Sequence, residues 1–526
     1  FGAVQYRRTD GFGQNRAGQS ASGIFQHTFG SKRWRYRALG VLYGSRADMA
    51  GVLRKDDIDA GSVGFYDVYP LPTAQKQNAL SGRLMAGLTA EYRGTAGDNA
   101  EAGAWLSYDN FQLHENFTGF TQRSQTLENV SGRGDLIAQN NRTTSLGLHG
   151  RYRTAPYRPA SWAQGTLELG LTGRMDSIDQ TQALLDAAVH NQIWDKRVDA
   201  QIQGVDLGMW GDLDWSLTPF VNVRAGLRAD ALYYDVNDKL GNLAPLTRPD
   251  DTYITGFERT SFGLAWGPRA STEIKLQKWV SLLGAYGEGY RSPQARTLED
   301  GEQAPFTKVR SGDVGVRMRW DERLELSLTG FYTWLSDDIA FDASEGRAER
   351  IGETRRAGTV LYAKTQPYPW LLGAASITYV DAELLEPPPA TAQNPQPAFK
   401  EGQNLPYIPP LVLRLDLGAK GRLVRDVYAA DLRGRAGIGY SLLSSRPLPH
   451  GDFASVVSLF DASVGVGWRN VELGLEIFNL FDDRYAALEY NFVSNWNPSG
   501  MPSRVPARHI SAGAPRTIMA TLEIRL

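Results

Sequence analysis

Residues 518–526 read Ile-Met-Ala-Thr-Leu-Glu-Ile-Arg-Leu, and this stretch decides the fold. Because side chains alternate along a strand, its apolar residues share one face and its polar residues the other: Ile518, Ala520, Leu522, Ile524 and Leu526 against Thr521, Glu523 and Arg525. At the end of a soluble chain such a strand would be an aggregation-prone edge. In a closed membrane barrel it pairs with the first strand and turns its apolar face to lipid. The stretch therefore predicts the closing strand of a transmembrane β-barrel.

Composition is compatible with a barrel and excludes other classes. The 526 residues include 56 basic and 58 acidic side chains, so net charge gives no reason to expect nucleic acid as a partner. Cysteine is absent from the sequence, which rules out disulfides and thiolate metal sites. No apolar run approaches the ~20 residues that a membrane helix needs. A search for long apolar runs does not detect barrel strands, because the hydropathy of their alternating apolar and polar residues averages out.

Alternating segments recur along the whole chain and predict about twenty strands without a convincing long helix. The clearest are 164–174, 221–231, 313–320, 324–328, 411–417, 460–468 and 471–477. A soluble β-sandwich or propeller is the alternative. Against it, the polar faces hold many Arg, Glu and Asp, and the segments run to about 10–16 residues, longer than the roughly 5–6 of soluble sheets. We therefore expect an all-β protein, a large antiparallel transmembrane barrel spanning residues 1–526.

Short and long connections alternate between these strands. Short links are expected near 96–99, 155–159, 216–219, 277–278, 321–323, 366–369 and 468–470, and long ones at 48–78, 115–141, 176–196, 235–258, 385–404 and 482–512. Short periplasmic turns and long extracellular loops are typical of outer-membrane barrels. The first strand, near 2–8, would then ascend from the periplasm. Aromatic residues at predicted strand ends would form interfacial girdles: Trp34, Tyr43, Trp162, Trp215, Trp279, Trp320, Trp370 and Trp468.

Three stretches carry a resemblance to a known family. Asn479-Leu480-Phe481-Asp482-Asp483-Arg484-Tyr485 is similar to the "NLFD-x-x-Y" signature of TonB-dependent receptors, and Gly289-Tyr290-Arg291-Ser292-Pro293 resembles their "G-[YF]-R-x-P" motif. Residues 307–338 resemble the hairpin that follows, and 405–409 resemble a weaker "L-P-x-[VI]-P" element. These motifs occur in the order found in the family and are followed by a terminal strand, and the resemblance extends over most of the chain.

The resemblance implies a barrel of twenty-two strands with a plug domain inside it. Nothing in this sequence resembles the plug, so we expect the plug, the TonB box and the first hairpin to be missing from it. The last residue also departs from the family, which usually ends in Phe, whereas this chain ends in Leu526.

Candidate functional residues lie in the long loops and on the inner wall. Aromatic side chains in the loops are candidates for ligand capture, with packing of loop against loop as the alternative: Phe65, Tyr66, Tyr69, Phe117, Phe120, Trp194, Tyr253, Tyr490, Phe492 and Trp496. Charged residues are expected to face the lumen, where they would line a path or contact a plug, or simply be charges of a wet lumen: Arg224, Arg228, Asp230, Arg317, Arg319, Arg433 and Arg435. The six histidines lie far apart, and no Ser/His/Asp set is visible, so we expect no metal site, no cofactor and no enzyme activity.

The sequence is compatible with two functional hypotheses. The resemblance implies TonB-dependent uptake of a scarce nutrient such as a metal–siderophore complex, cobalamin or a glycan, in the outer membrane of a Gram-negative bacterium. Its partners would be outer-membrane lipid, including lipopolysaccharide, and the TonB complex if a plug is present. The alternative is a barrel without its own plug that serves as a scaffold or channel, bound to other outer-membrane or periplasmic proteins. A native mass well above 58.1 kDa would favour the transporter.

Overall fold

The structure is a computed structural model that describes residues 1–121, 133–240, 257–292, 305–343, 346–387, 399–497 and 505–525. Two antiparallel sheets make up most of it, one of 21 strands and one of 3. The helices in these ranges are α1 (Lys55–Asp59), α2 (Pro72–Gln75) and a 3₁₀ turn (Pro449–Gly451), none of which is long and apolar enough to span a membrane.

The large sheet is a meander in which most strands pair with their neighbours in the sequence. Its first strands are β1 (Gly2–Thr9), β2 (Gly18–Gly30), β3 (Trp34–Asp48), β5 (Asn78–Arg93), β6 (Asn99–Glu115), β7 (Leu136–Arg153), β8 (Tyr157–Ala160), β9 (Ala163–Asp186), β10 (Gln192–Thr218) and β11 (Val221–Asp238). It continues through β12 (Phe257–Gln277), β13 (Val280–Arg291), β14 (Thr307–Trp320), β15 (Leu324–Asp342), β16 (Arg347–Tyr368), β17 (Leu371–Glu386), β18 (Leu411–Val424), β19 (Leu432–Leu443), β20 (Val457–Trp468), β21 (Val471–Phe478) and β24 (Thr517–Ile524). The small sheet contains β4 (Leu53–Arg54), β22 (Ala486–Phe492) and β23 (Ala507–Ala512). The all-β prediction of about twenty strands is confirmed.

The two faces of the large sheet differ in chemistry. Along β11, Leu227 is exposed, whereas Arg224 and Arg228 on the other face form ion pairs with neighbouring carboxylates. Exposed apolar side chains recur on the outer face of many strands: Leu84, Leu106, Leu146, Leu169, Leu207, Leu264, Val314, Leu417 and Leu473. A wide apolar outer face opposite a charged one is what a sheet surrounded by lipid requires.

Contacts between distant strands show that the sheet curls into a barrel. The side-chain amide of Gln139 on β7 donates a 2.6 Å hydrogen bond to the carbonyl of Gly346, beside the β15–β16 hairpin. Similarly, β4, from the connection after β3, pairs with β23, from the connection after β21. Elements from both ends of the meander therefore meet at one end of the molecule, which we call the loop end; the opposite end is the turn end.

The first and last strands depart from the predicted closure. We expected the final strand to pair with the first, but in the described ranges β24 pairs with β21 and β1 pairs with β2. Among the residues that the structure describes, each has a strand partner along one edge alone, and every residue of both strands is exposed. Leu526 lies outside the described residues.

Connection lengths follow the predicted alternation with one clear error. Residues 176–196 were expected to form a long loop, but β9 continues to Asp186 and β10 begins at Gln192, so only five residues link them. The strands extend beyond the apolar band into a polar environment, where neither face has to be apolar, and the alternation that marks a strand is lost there. Tyr43 was also misplaced, because it lies inside β3 rather than at its end.

Candidate functional site

The small sheet at the loop end joins two connections that are far apart in sequence. Strands β22 and β23 form a hairpin in the last connection, residues 479–516, and β4 adds to β23 from the connection at residues 49–77. The Arg54 guanidinium crosses this junction and donates a 3.0 Å hydrogen bond to the carbonyl of Ser494. The small sheet therefore fixes the last connection over the barrel.

A buried apolar cluster stabilises this junction. It contains Leu53, Val63, Val68, Tyr69, Ala74 and Trp496. The rings of Tyr69 and Trp496 stack with centroids 4.3 Å apart, an arrangement worth about 0.5–1.5 kcal/mol beyond the burial of their area. The Tyr69 hydroxyl donates to Asp57 at 2.5 Å, and its burial together with that bond raises the pKa of the phenol.

His509 is a fully buried titratable group of the loop end. Its ring stacks on Phe492 with centroids 3.9 Å apart, and a 2.7 Å hydrogen bond joins its Nε2 to Ser494. Burial lowers the pKa of His509 to about 3, so the ring is neutral at ordinary pH. The Ser–His contact is fully buried, which makes it a packing interaction rather than an accessible nucleophile.

Four rings form what we call the aromatic bridge: Phe117, Phe341, Tyr407 and Tyr490. Tyr490 is its centre, with ring centroids 6.4 Å from Phe117, 5.6 Å from Phe341 and 5.7 Å from Tyr407. Phe117 and Phe341 also contact each other directly at 5.1 Å. Phe117 follows β6, Phe341 lies near the end of β15, and Tyr407 precedes β18, so the bridge joins separate sectors of the wall.

Glu115 borders the aromatic bridge from the last position of β6. Its carboxylate receives no hydrogen bond from the side chains that the structure describes, and burial raises its pKa to about 7. The same carboxylate lies near Tyr490, whose pKa is raised by burial and then by the Glu115 charge. His450, on the connection after β19, has its pKa lowered by burial. The loop end thus contains a carboxyl group that titrates near neutral pH.

The predicted loop aromatics are distributed between buried and partly buried positions. Tyr69, Phe117, Phe120, Phe492 and Trp496 are buried. Phe65, Tyr66, Trp194 and Tyr490 are partly buried, and Tyr253 lies outside the described residues. The structure brings three groups of them together: Tyr69 with Trp496, Phe65 with Tyr66, and Phe117 with Tyr490 and Phe492. Trp194 is separate and lies under the Arg133 guanidinium.

Other residues that make contacts at the loop end were not predicted from the sequence. Phe341 belongs to a strand that was expected to end earlier, and Tyr407 was noticed only as part of a motif. Arg54 and His509 gave no periodic signal, because each acts through contacts between connections. Glu115 at the predicted start of a long loop was the one detectable signal, as a charged residue beside Phe117.

Predicted lumen residues form ion pairs on the inner face of the sheet. The pairs are Arg224–Asp212 at 3.2 Å, Arg228–Asp230 at 2.6 Å, Arg319–Glu325 at 2.8 Å, Arg435–Glu472 at 2.7 Å, and Arg317–Glu273. Arg433 instead lines a cavity of about 810 Å³ near the turn end. That these residues line a transport path stays a prediction.

The family-motif residues have structural contacts. The buried Asn479, at φ 52°, donates from its side-chain amide to the carbonyls of Asp483 at 2.9 Å and Ala514 at 3.2 Å. Asp482 accepts a 2.8 Å hydrogen bond from the Arg516 amide. The two ends of the last connection are therefore tied together at its base.

The remaining motif residues lie around this base and on β13. Phe481 is exposed and packs edge-on against Phe460, while the neighbouring Leu480 amide donates to the Phe460 carbonyl. Arg291 donates to the carbonyl of Asp337, and Tyr290 contacts Phe306. Pro293 lies outside the described residues. Within the described ranges, no three His, Asp or Glu side chains gather as metal ligands.

Comparison with known proteins identifies the family. A family model described as "TonB dependent receptor-like, beta-barrel" matches residues 5–480. The chain belongs to this family. No curated protein sequence matches the chain.

Solved structures of transporters and uptake receptors share the fold. The unliganded ferric citrate transporter FecA has a TM-score of 0.75 at 15% identity, covering 99% of this chain and 73% of that chain. The ferric yersiniabactin uptake receptor FyuA from Yersinia pestis has a TM-score of 0.71 at 14% identity, covering 99% and 75%. The copper transporter OprC has a TM-score of 0.69 at 15% identity, covering 99% and 75%. At these identities the likeness shows the barrel architecture.

Proposed function

We propose that this chain is the barrel domain, residues 1–526, of an outer-membrane receptor that imports a scarce nutrient with energy supplied by a TonB-type complex. Metal–siderophore complexes, cobalamin and glycans are the candidate ligands. Family membership supports this, and three proteins of the same fold are named as carriers of ferric citrate, ferric yersiniabactin and copper. The location would be the outer membrane of a Gram-negative bacterium, with lipid and lipopolysaccharide around the apolar face.

The observation that carries the proposal is the aromatic bridge. A receptor has to hold its ligand outside the barrel until transport begins, and a rigid wall that carries aromatic-rich connections is suited to that task. Tyr490 brings connections from separate sectors over the barrel. In this proposal the bridge closes the extracellular side, and ligand binding to Phe65, Tyr66 and Trp194, which are partly buried aromatic residues outside the bridge, precedes opening.

The test is uptake by cells that produce the full-length protein. ⁵⁵Fe-citrate, ⁵⁵Fe-yersiniabactin and ⁵⁷Co-cobalamin are offered separately to a strain that lacks its own receptors, with and without a functional TonB protein. We expect one probe to accumulate only when both the receptor and TonB are present. Accumulation independent of TonB, or loss of other envelope proteins on deletion without any uptake defect, would support the scaffold or channel instead.

A matched pair of variants links uptake to the loop end. Tyr490→Ala removes the centre of the bridge, whereas Tyr428→Ala removes an exposed tyrosine from a turn-end connection. We expect the first to change the apparent affinity for the transported probe and the second to leave it unchanged. Equal effects of both variants would contradict a role for the bridge in capture.

A further inference from the structure

Arg446 is a buried arginine of the loop end, in the connection between β19 and β20. The residue is 5% exposed, and its Nη1 atom has neither solvent contact nor a hydrogen-bond partner. Among the residues that the structure describes, the guanidinium has no carboxylate within ion-pair distance. Burying a charge without a counter-charge costs free energy, so the positive charge of Arg446 weakens the closed loop end rather than stabilising it.

The backbone that carries Arg446 is fixed beside the aromatic bridge. The carbonyl of Pro447 accepts a 2.8 Å hydrogen bond from the Tyr407 amide, and the carbonyl of Pro449 accepts a 2.9 Å hydrogen bond from the side-chain amide of Asn491. Tyr407 belongs to the aromatic bridge, and Asn491 is next in sequence to its central ring. The main chain is therefore held between two rings of the bridge, while the charged end of the side chain has no partner there.

Other polar groups around the aromatic bridge also lack hydrogen-bond partners. The pKa of Tyr490 is raised by burial and by the Glu115 carboxylate, and the Arg446 guanidinium opposes that rise, so both charges act on the phenol. Among the described residues, the hydroxyls of Tyr407 and Tyr490 and the carboxyl of Glu115 form no hydrogen bond. Buried polar groups are normally hydrogen-bonded, so a group of them without partners indicates a place for a polar ligand.

Arg508 on β23 shows how the same loop end accommodates an arginine that stabilises it. Its guanidinium pairs with Glu489, whose side chain has no exposed surface, and donates a 2.7 Å hydrogen bond to the Ser455 hydroxyl. Arg446 acts on Tyr490 of the same hairpin but has no such counter-charge among the described residues. The two arginines therefore differ in the one property, a buried carboxylate partner, that makes a buried cation structural.

We infer that Arg446 binds a carboxylate group of the imported nutrient when the aromatic bridge opens. The inference rests on the proposed function, because it requires the loop end to open during import. A guanidinium presents parallel N–H donors that match the two oxygens of a carboxylate. One guanidinium neutralises one negative charge, and an ionised Glu115 nearby would repel a second, so a carboxylate fits this site better than a dianionic phosphate. The rings of the bridge would pack against an apolar part of the same nutrient.

The unpaired charge makes opening of the loop end responsive to the ligand. In the closed form the Arg446 guanidinium is desolvated, whereas in the open form it can bind a carboxylate. A ligand that binds the open form alone shifts the equilibrium towards that form by its binding free energy. Arg446 thus lowers the cost of opening, and a carboxylate ligand lowers it further.

Hydrogen exchange of the β22 and β23 amides in the purified full chain in detergent measures the cost of the buried charge. Arg446→Met removes the charge and keeps a long side chain, whereas the matched control Arg508→Met leaves Glu489 without its counter-charge. We expect exchange to become about tenfold slower in Arg446→Met and about tenfold faster in Arg508→Met. Unchanged or faster exchange in Arg446→Met would overturn the inference, because the guanidinium would then be a structural group.

The same exchange measurement in citrate, inorganic phosphate and chloride at equal ionic strength tests the ligand chemistry. We expect citrate to accelerate exchange about threefold over chloride in the unmodified protein and to have no effect in Arg446→Met. Equal acceleration by phosphate would overturn the carboxylate assignment, and acceleration by citrate that is absent from the unmodified protein or persists in Arg446→Met would overturn the site. Exchange requires no transport, so its failure leaves TonB-dependent uptake untouched, and failed uptake leaves the exchange results standing.

Discussion

Tyr490 is the residue through which three parts of the loop end contact one another. Its ring meets Phe117, Phe341 and Tyr407, which follow or precede strands in separate sectors of the barrel. The sequence marks Tyr490 as one aromatic residue in a polar connection, with capture and packing both open. Packing of loop against loop is what the described residues show, and a direct ligand contact stays a prediction.

Replacing Tyr490 should loosen the loop end without unfolding the barrel. We expect Tyr490→Ala to lower the free energy of opening of the last connection by roughly 2–4 kcal/mol, the sum expected of three aromatic contacts. Hydrogen exchange of the amides in β22 and β23 measures this opening. Tyr428→Ala is the control and should leave exchange unchanged; equal acceleration in both variants would contradict the role assigned to Tyr490.

Glu115 should make closure of the loop end depend on pH. Burial raises its pKa to about 7 from an ordinary value near 4.5, so the closed assembly favours the protonated carboxyl. Stability from this group is fully present below about pH 4.5 and is lost as pH rises through 7. His450 and His509 act in the opposite direction. Because burial lowers their pKa values, their contribution to the stability of the closed loop end is lost as pH falls.

The comparison of Glu115→Gln with the unmodified protein isolates the carboxyl group. Between pH 5.5 and 8, hydrogen exchange at the start of the β6–β7 connection, corrected for its intrinsic pH dependence, should accelerate in the unmodified protein. It should accelerate much less in Glu115→Gln, which stays neutral throughout. The same acceleration in both proteins would show that another group controls opening.

At the scale of elements, the last connection is held at its base by Asn479. The side chain bonds both ends of the connection, through Asp483 and Ala514, and its backbone amide donates to Asp461. The residue adopts φ 52°, a conformation that Asn tolerates better than most side chains. The motif resemblance around Asn479 therefore has a physical basis in loop anchoring.

We expect Asn479→Gly to weaken this anchor by about 1–3 kcal/mol, because Gly keeps the backbone conformation but removes the two part-buried hydrogen bonds to Asp483 and Ala514. Limited proteolysis of the last connection should become faster. Asn470→Ala is the matched control, since that asparagine donates to the Arg525 carbonyl at the opposite end of the barrel. Unchanged proteolysis in Asn479→Gly would assign the anchoring to Asp482 and Arg516.

Strands were predictable where lipid imposes a pattern and not beyond it. The alternation at 221–231 is confirmed within β11, which continues to Asp238, and the alternation at 164–174 is confirmed within β9, which continues to Asp186. Above the apolar band both faces meet polar surroundings, so residues 176–196 resembled a loop. The small sheet was missed because β4 is only two residues long and pairs across more than four hundred residues of sequence.

At the scale of the whole molecule, the barrel wall was predictable from sequence patterns and the loop end was not. Hydrophobic alternation, short turns and motifs predicted the barrel and its family from the sequence. The loop end depends on contacts between connections, such as Phe117 with Phe341. Hydrophobic periodicity in the sequence does not predict such contacts. The same holds for the opposition of Arg422 and Arg433, which follows from the register of β18 and β19.

The measurement that tests the account most directly is uptake through a barrel whose aromatic bridge is covalently closed. Residues 1–526 contain no cysteine, so Phe117→Cys/Phe341→Cys can be joined by a reducible bifunctional maleimide without side reactions at other thiols of the barrel. We predict that uptake of the transported probe stops when the link forms and returns when its disulfide is reduced, while each single variant treated in the same way continues to transport. Undiminished uptake through fully linked protein would contradict the claim that the loop end opens during import.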